Sequence, residues 1–304
     1  MVCRRGWSGR ELTGVSKLII DHFLAMSFNQ KTIFTSIFIC FIIFTGGFWY
    51  YKKIYPKYVP PPLKPELTIT IIPGWNLRQV AEYLVKQGFA SSSRDVYKIT
   101  GKPAYDYRPA ALVLPKIDEL KILNDKPAHI SLEGYLAPET YRIYQDSDIQ
   151  EVIAKLVAQR DKQITDEMRN DAQKSGRSFF EILTMASILE KEVTAAGDKS
   201  LVADILWRRY DKNWALQVDS SVHYAINKTG TVFTTKQERD FVSPWNTYKY
   251  PGLPLGPIAN PGLDSIKAAL HPEKNAYWYF LTGKDGAVYY GKTLEEHNNN
   301  KAKL

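Results

Sequence analysis

The chain has 304 residues, 44% of them apolar and 24% charged, with a formal net charge of +8, long enough for an anchor and two domains rather than one compact unit. Residues 1–64 hold nine Lys or Arg against two acids, so +7 of that charge sits at the N-terminal end and only +1 remains beyond it, which excludes the clustered basic footprint of a nucleic-acid binder. The two cysteines, Cys3 and Cys40, make no disulfide framework, and with no Cys-x-x-Cys or His-x-x-x-His spacing neither a metal site nor a cofactor is expected.

Thr32 to Tyr51 is an uncharged apolar run of twenty residues ending in Phe48, Trp49, Tyr50 and Tyr51, with Lys52 and Lys53 directly after it. That length and aromatic edge predict one membrane-spanning helix, and the aromatic end argues against a cleaved signal peptide, whose core ends in small residues. Basic residues flank the run on both sides, so charge alone does not orient it. Residues 1–31 read as an N-terminal head in which Met26 is an alternative start, and 52–65 as a proline-rich spacer. Then LTITII predicts a strand, PGW a turn, and Asn76 the cap of a helix carrying Leu77, Val80, Ala81, Leu84 and Val85 and stopping at Gly88. With a short helix over Ser93–Thr100, residues 66–127 form a small strand-helix module, either a structural spacer or a glycan-binding unit.

From His129 turn formers mix with aromatics, and 149–174 reads as amphipathic helix. Ser178 to Val193, SFFEILTMASILEKEV, opens with a Ser178/Glu181 capping box. At about 100° per residue, Phe179, Leu183 and Ala186 lie beneath Glu190, with Phe180, Ile182 and Leu189 on either side. A carboxyl held against an apolar wall keeps its proton near neutral pH, as a general acid must. The competing reading is that Glu190 reaches water or pairs with an Arg. Glu192 lies about 160° away around the helix, so the two acids cannot converge as a pair. A helix with Leu201, Val202, Ile205 and Leu206 follows, and Asp219 is placed to cap another through Ile226. The proline-rich stretch Ser243–Gly262 is a long loop whose Trp245, Tyr248 and Tyr250 suit either sugar recognition or a wrap over the core. WYFLTG and AVYYGK predict a closing β-hairpin.

These motifs together (LEGYLAPETYR, ASILEKEV, LQVDSSVHYAI, SPWNTYKYPGLPLGPIANPG and YFLTGKDGAVYYGKTLEEHN) resemble the MltG (YceG-like) endolytic murein transglycosylases. The resemblance implies an α+β fold: a single N-terminal transmembrane helix, a LysM-like strand-helix subdomain (66–127), and an α+β catalytic domain (128–304) with a C-terminal hairpin. It implies that Glu190 is the catalytic acid, and that Gln217, Asn246 and Tyr248 line a glycan groove. It also implies a cytoplasmic N-terminus, an extracytoplasmic catalytic domain, peptidoglycan strands as substrate and peptidoglycan synthases as partners. The chain departs from the family at LQVDSS (for LQSDPT), at GLPLG (for GLPPG) and at Ala137 (for an aromatic). A lone acid suffices for a lytic transglycosylase, because the glutamate that protonates the glycosidic oxygen can later deprotonate the C6 hydroxyl that attacks C1. The rival readings are a muramidase that uses water, a non-catalytic wall-binding or scaffold protein, and an aminodeoxychorismate lyase. The last fits poorly with an anchor and with no lysine in a recognisable pyridoxal-phosphate setting.

Overall fold

The computed structural model describes residues 14–55, 64–109, 120–230, 234–283 and 285–303. It divides into two units, residues 1–63 and 64–304. In the first, α1 (Gly14–Ala25) precedes α2 (Phe28–Ile54), a 27-residue helix long and apolar enough to cross a membrane. At about 1.5 Å per residue it exceeds the roughly 30 Å of a hydrocarbon core. Ser27 and Gln30 close its start as a reciprocal capping box. Thr32, Thr35, Ser36 and Thr45 each return their hydroxyl to a carbonyl four residues back, which satisfies a polar side chain without water. At the far end Lys52 lies over the Phe48 ring and Lys53 over Trp49.

The second unit begins with β1 (Glu66–Thr70), whose Leu67 and Ile69 turn inward while Glu66, Thr68 and Thr70 face out. Asn76 caps α3 (Leu77–Lys86) through the amides of Arg78 and Gln79, and Gly88 at φ +86° ends the turn that follows. α4 (Ser93–Thr100) follows. The partner of β1 is not inside this module. It is β2 (Thr140–Tyr144), paired antiparallel from Glu66↔Tyr144 to Thr70↔Thr140, with Tyr141 and Ile143 on the buried face. The sheet therefore runs across the boundary that sequence composition suggests near residue 127.

The single amphipathic helix expected over 149–174 is two, α5 (Ile149–Gln163) and α6 (Asp166–Lys174), because Thr165 caps a new start through the Met168 amide. α7 (Phe179–Glu192) is the central element, with every residue from Ile182 to Leu189 buried. α8 (Ala196–Asp211), α9 (Asp219–Ile226) and the short α10 (Lys236–Arg239) follow, and α11 (Leu263–Leu270) packs against both α7 and α8. β3 (Tyr279–Thr282) and β4 (Val288–Gly291) pair antiparallel, with α12 (Leu294–Lys301) against them.

Residues 243–262 contain neither helix nor strand, yet Trp245, Asn246, Thr247, Ile258, Ala259 and Asn260 are buried. The loop is part of the core. The fully buried Arg160 of α5 donates to the carbonyls of Leu136 and Pro261, fastening the loop to the turn at 133–136. Burial lowers its guanidinium to about 10, opposed by the charges of Tyr141 and Glu190. Gly134 is the closest approach: its φ is +86°, and a Cβ there would stand 2.7 Å from Pro257 Cβ.

Gly134→Ala is expected to destabilise residues 64–304 by about 3 kcal/mol, combining left-handed backbone strain with overpacking. Gly88→Ala has the same φ but open space around it, and should lose only about 1 kcal/mol. Urea unfolding of both variants checks the difference, which isolates the Pro257 contact.

Candidate active site

The C-terminal end of α7 carries two glutamates whose side chains leave in opposite directions. The apolar stripe of Phe179, Leu183 and Ala186 is buried as the helical spacing requires, but the Glu190 carboxylate does not end on it. Glu190 Oε2 accepts from the Gly262 amide at 3.0 Å and the Ser265 hydroxyl at 2.6 Å, and pairs with Lys199 Nζ at 3.4 Å. Its Cγ lies beside Gly74 of the Pro-Gly-Trp turn. The apolar environment expected for this carboxyl is therefore corrected: the pairing alternative applies, with a lysine of α8 in place of an arginine. Periodicity gave the direction of the side chain but not the donors that α8 and the start of α11 bring to meet it.

Glu192 points toward α9. Its Oε1 accepts the Ser220 amide at 3.4 Å, while its backbone carbonyl is held by the Thr282 hydroxyl of β3. Burial pushes this carboxyl up from its ordinary value and the Asp219 charge adds to the effect, against the hydrogen bonding of Ser220 and the charge of Lys191. Glu181 is occupied structurally, closing the capping box with Ser178 and accepting the Tyr210 hydroxyl.

Asp219 does not cap α9, whose Val218 cap position makes no side-chain bond. Asp219 Oδ1 instead accepts the Tyr248 hydroxyl at 2.7 Å and the Thr234 hydroxyl. Burial and the Asp219 charge both raise the Tyr248 phenol well above its usual range. Tyr248 and Gln217 line one cavity of about 500 Å³ together with Lys236, Arg239, Asp240 and Lys249. Gln217 takes the left-handed backbone, φ +55°, with its amide on the Thr247 carbonyl and its side chain exposed. Asn246 is turned away from solvent: its Nδ2 donates to the carbonyls of Arg239 and Phe241, and its Oδ1 accepts the Tyr248 amide. Two of the three expected groove residues, Gln217 and Tyr248, thus share the cavity, and Asn246 shapes the loop behind them. From the cavity, Tyr248, Asp219 and Ser220 lead to Glu192, whereas Glu190 faces Gly74, Lys199 and α11.

One buried acid carries a role that motif spacing did not assign. Both oxygens of Glu133 lie 3.0 Å from the Leu77 amide at the start of α3, and Glu133 also accepts from the Tyr224 hydroxyl of α9 and from Asn260 Nδ2. Burial pushes its carboxyl up to about 7, opposed by the Leu77 amide, the Tyr224 hydroxyl, the Arg78 charge and the Gly134 amide. Among the described residues there is no group of three or more His, Cys, Asp or Glu that could hold a metal ion.

A family model described as the YceG-like family matches residues 51–303. The endolytic murein transglycosylase of Bacillus subtilis is 34% identical over 236 residues, covering 77% of this chain and 64% of that protein. The endolytic murein transglycosylase of Streptococcus pneumoniae strain D39 is 30% identical over 258 residues, covering 79% of this chain and 45% of that protein. The chain thus spans less than two thirds of the length of these relatives. A crystal structure of a yceG-like protein from Listeria monocytogenes matches with a TM-score of 0.64 at 36% identity, covering 78% of this chain and 76% of that one.

Glu133 makes stability depend on pH with a definite sign. A carboxyl raised from 4.5 to about 7 on folding keeps its proton in the native state over a range where the unfolded chain has lost it. Stability is therefore full below about pH 4.5, falls as pH rises toward 7 and levels off above, by about 3 kcal/mol at most. Glu133→Gln, neutral throughout, should flatten that slope when urea unfolding is compared at pH 5 and pH 8.

Proposed function

This chain belongs to the YceG-like family, and on that premise we propose that it is a membrane-anchored endolytic lytic transglycosylase of peptidoglycan. In this reading α2 is the anchor, the N-terminus is cytoplasmic, and residues 64–304 face the wall, working beside peptidoglycan synthases. The module at 66–127 is a LysM-like unit that helps to hold the glycan. The names of the curated relatives support the substrate and the bond class.

The observation that carries the reading is the Glu190 carboxyl, the acid that helical spacing and motif resemblance favour as the proton donor. It lies nearly buried at the end of α7, with one oxygen held by the Gly262 amide, the Ser265 hydroxyl and the Lys199 ammonium. Glu192 leaves the helix in the opposite direction, toward the Ser220 amide, so it is no second carboxylate for the same bond. Glu190 would protonate the oxygen joining N-acetylmuramic acid to N-acetylglucosamine, and the muramic acetamide would stabilise the positive charge growing at C1. The resulting carboxylate would then take the proton of the C6 hydroxyl as that oxygen bonds to C1, leaving a 1,6-anhydro end. One group serves as acid and then as base, so no second carboxylate is needed.

Glu192→Gln and Glu190→Gln in the full chain separate the two acids. Glu190→Gln should keep its fold and lower anhydro-end formation by at least about 100-fold, read by mass spectrometry of digested glycan. Glu192→Gln should retain measurable activity. The reverse pattern would move the chemistry to Glu192. Reducing ends from the unmodified protein would make it a muramidase, and glycan binding with no new ends would make it a scaffold.

A further inference from the structure

The walls of the Gln217–Tyr248 cavity are lopsided in charge. Lys236, Arg239 and Lys249 line it against a single carboxylate, Asp240, in a chain whose residues beyond 64 are nearly balanced. The neighbouring acids do not offset this excess. Glu238 is paired with Lys228 at 2.7 Å and also holds the Thr235 amide, and Asp219 is turned inward onto Tyr248 and Thr234. Lys249 reaches only a backbone carbonyl, that of Asp240, and the Lys236 ammonium has no partner among the described residues. The Arg239 guanidinium lies over the Tyr248 ring, 5.6 Å from its centroid. Two lysines thus stand at the edge of a cavity whose remaining wall, Gln217 and Tyr248, is suited to a neutral sugar.

We propose that this basic wall recognises a carboxylate carried by muramic acid, so that the cavity selects acidic strands over neutral glycan. The inference rests on the lytic reading above for its substrate and adds what the site discriminates. Muramic acid offers the carboxylate from two sources: the lactyl group when no peptide is attached, and the peptide when one is. Exposed cations contribute modestly and are screened by salt, so the discrimination is a matter of several-fold rather than many decades.

The test uses the full chain in detergent and three end-labelled glycans of equal length. These are peptide-bearing strands, amidase-stripped strands that keep the lactyl carboxylate, and stripped strands with that carboxylate converted to a neutral amide. Affinity is read by fluorescence anisotropy at low temperature, and product by mass spectrometry. The unmodified protein should bind acidic strands about 10-fold more tightly than the neutral ones at low salt, with the ratio approaching one at 0.5 M salt. The double variant Lys236→Gln/Lys249→Gln should bring the ratio close to one without salt. Preference kept on stripped strands identifies the lactyl group, and preference limited to peptide-bearing strands identifies the peptide. Equal affinity for acidic and neutral strands, or a double variant that keeps the full ratio, would overturn the proposal. Preferential binding with no new glycan ends supports the proposal while removing the lytic reading, so the two failures are distinct.

Discussion

The Asn260 side chain is fully buried and its polar atoms are engaged on both sides. Its Oδ1 accepts the Leu136 amide, its Nδ2 donates to the Trp75 carbonyl and toward Glu133, and its backbone exchanges hydrogen bonds with Gly74 and Trp75. Three segments far apart in the chain meet there: the turn after β1, the Glu133–Leu136 turn, and the end of the long loop. Each is irregular backbone, whose amides and carbonyls would be costly to bury without partners. One side chain with both donor and acceptor capacity resolves that cost for all three. Two residues further on, Gly262 reaches Glu190, so the register of α11 against α7 follows from the same junction.

What could be read from the sequence divides along the distance over which each signal acts. The Ser178/Glu181 capping box and the Asn76 cap act within a single helical turn, and the structure contains both. The break at Thr165 was local too, but the apolar spacing on either side of it masks it. The β1–β2 pairing was not legible, since TYRIY is short and its partner lies some seventy residues upstream. Asn246 illustrates a different limit. Its residue type suits sugar recognition, yet the same amide satisfies buried loop carbonyls, and only the path of the chain decides between these uses.

The two acids of the Glu-Lys-Glu sequence show why helical geometry is necessary but insufficient for assigning chemistry. Their divergence is fixed by rotation per residue and is present in the structure. What meets each side chain is set by tertiary packing: amide, hydroxyl and ammonium for Glu190, the Ser220 amide and a neighbouring carboxylate for Glu192. Two acids two residues apart on one helix thus have quite different surroundings.

The antiparallel ladder between β1 and β2 also bears on mechanics. A pull arriving at residue 64 enters β1 at Glu66, opposite Tyr144, and meets five consecutive residue pairs before it reaches the turn at Gly74. Behind those pairs lies the Asn260 junction, and behind that the two acids of α7. A load applied at residue 64 would thus be spent on a strand ladder before it could disturb the geometry around the acids.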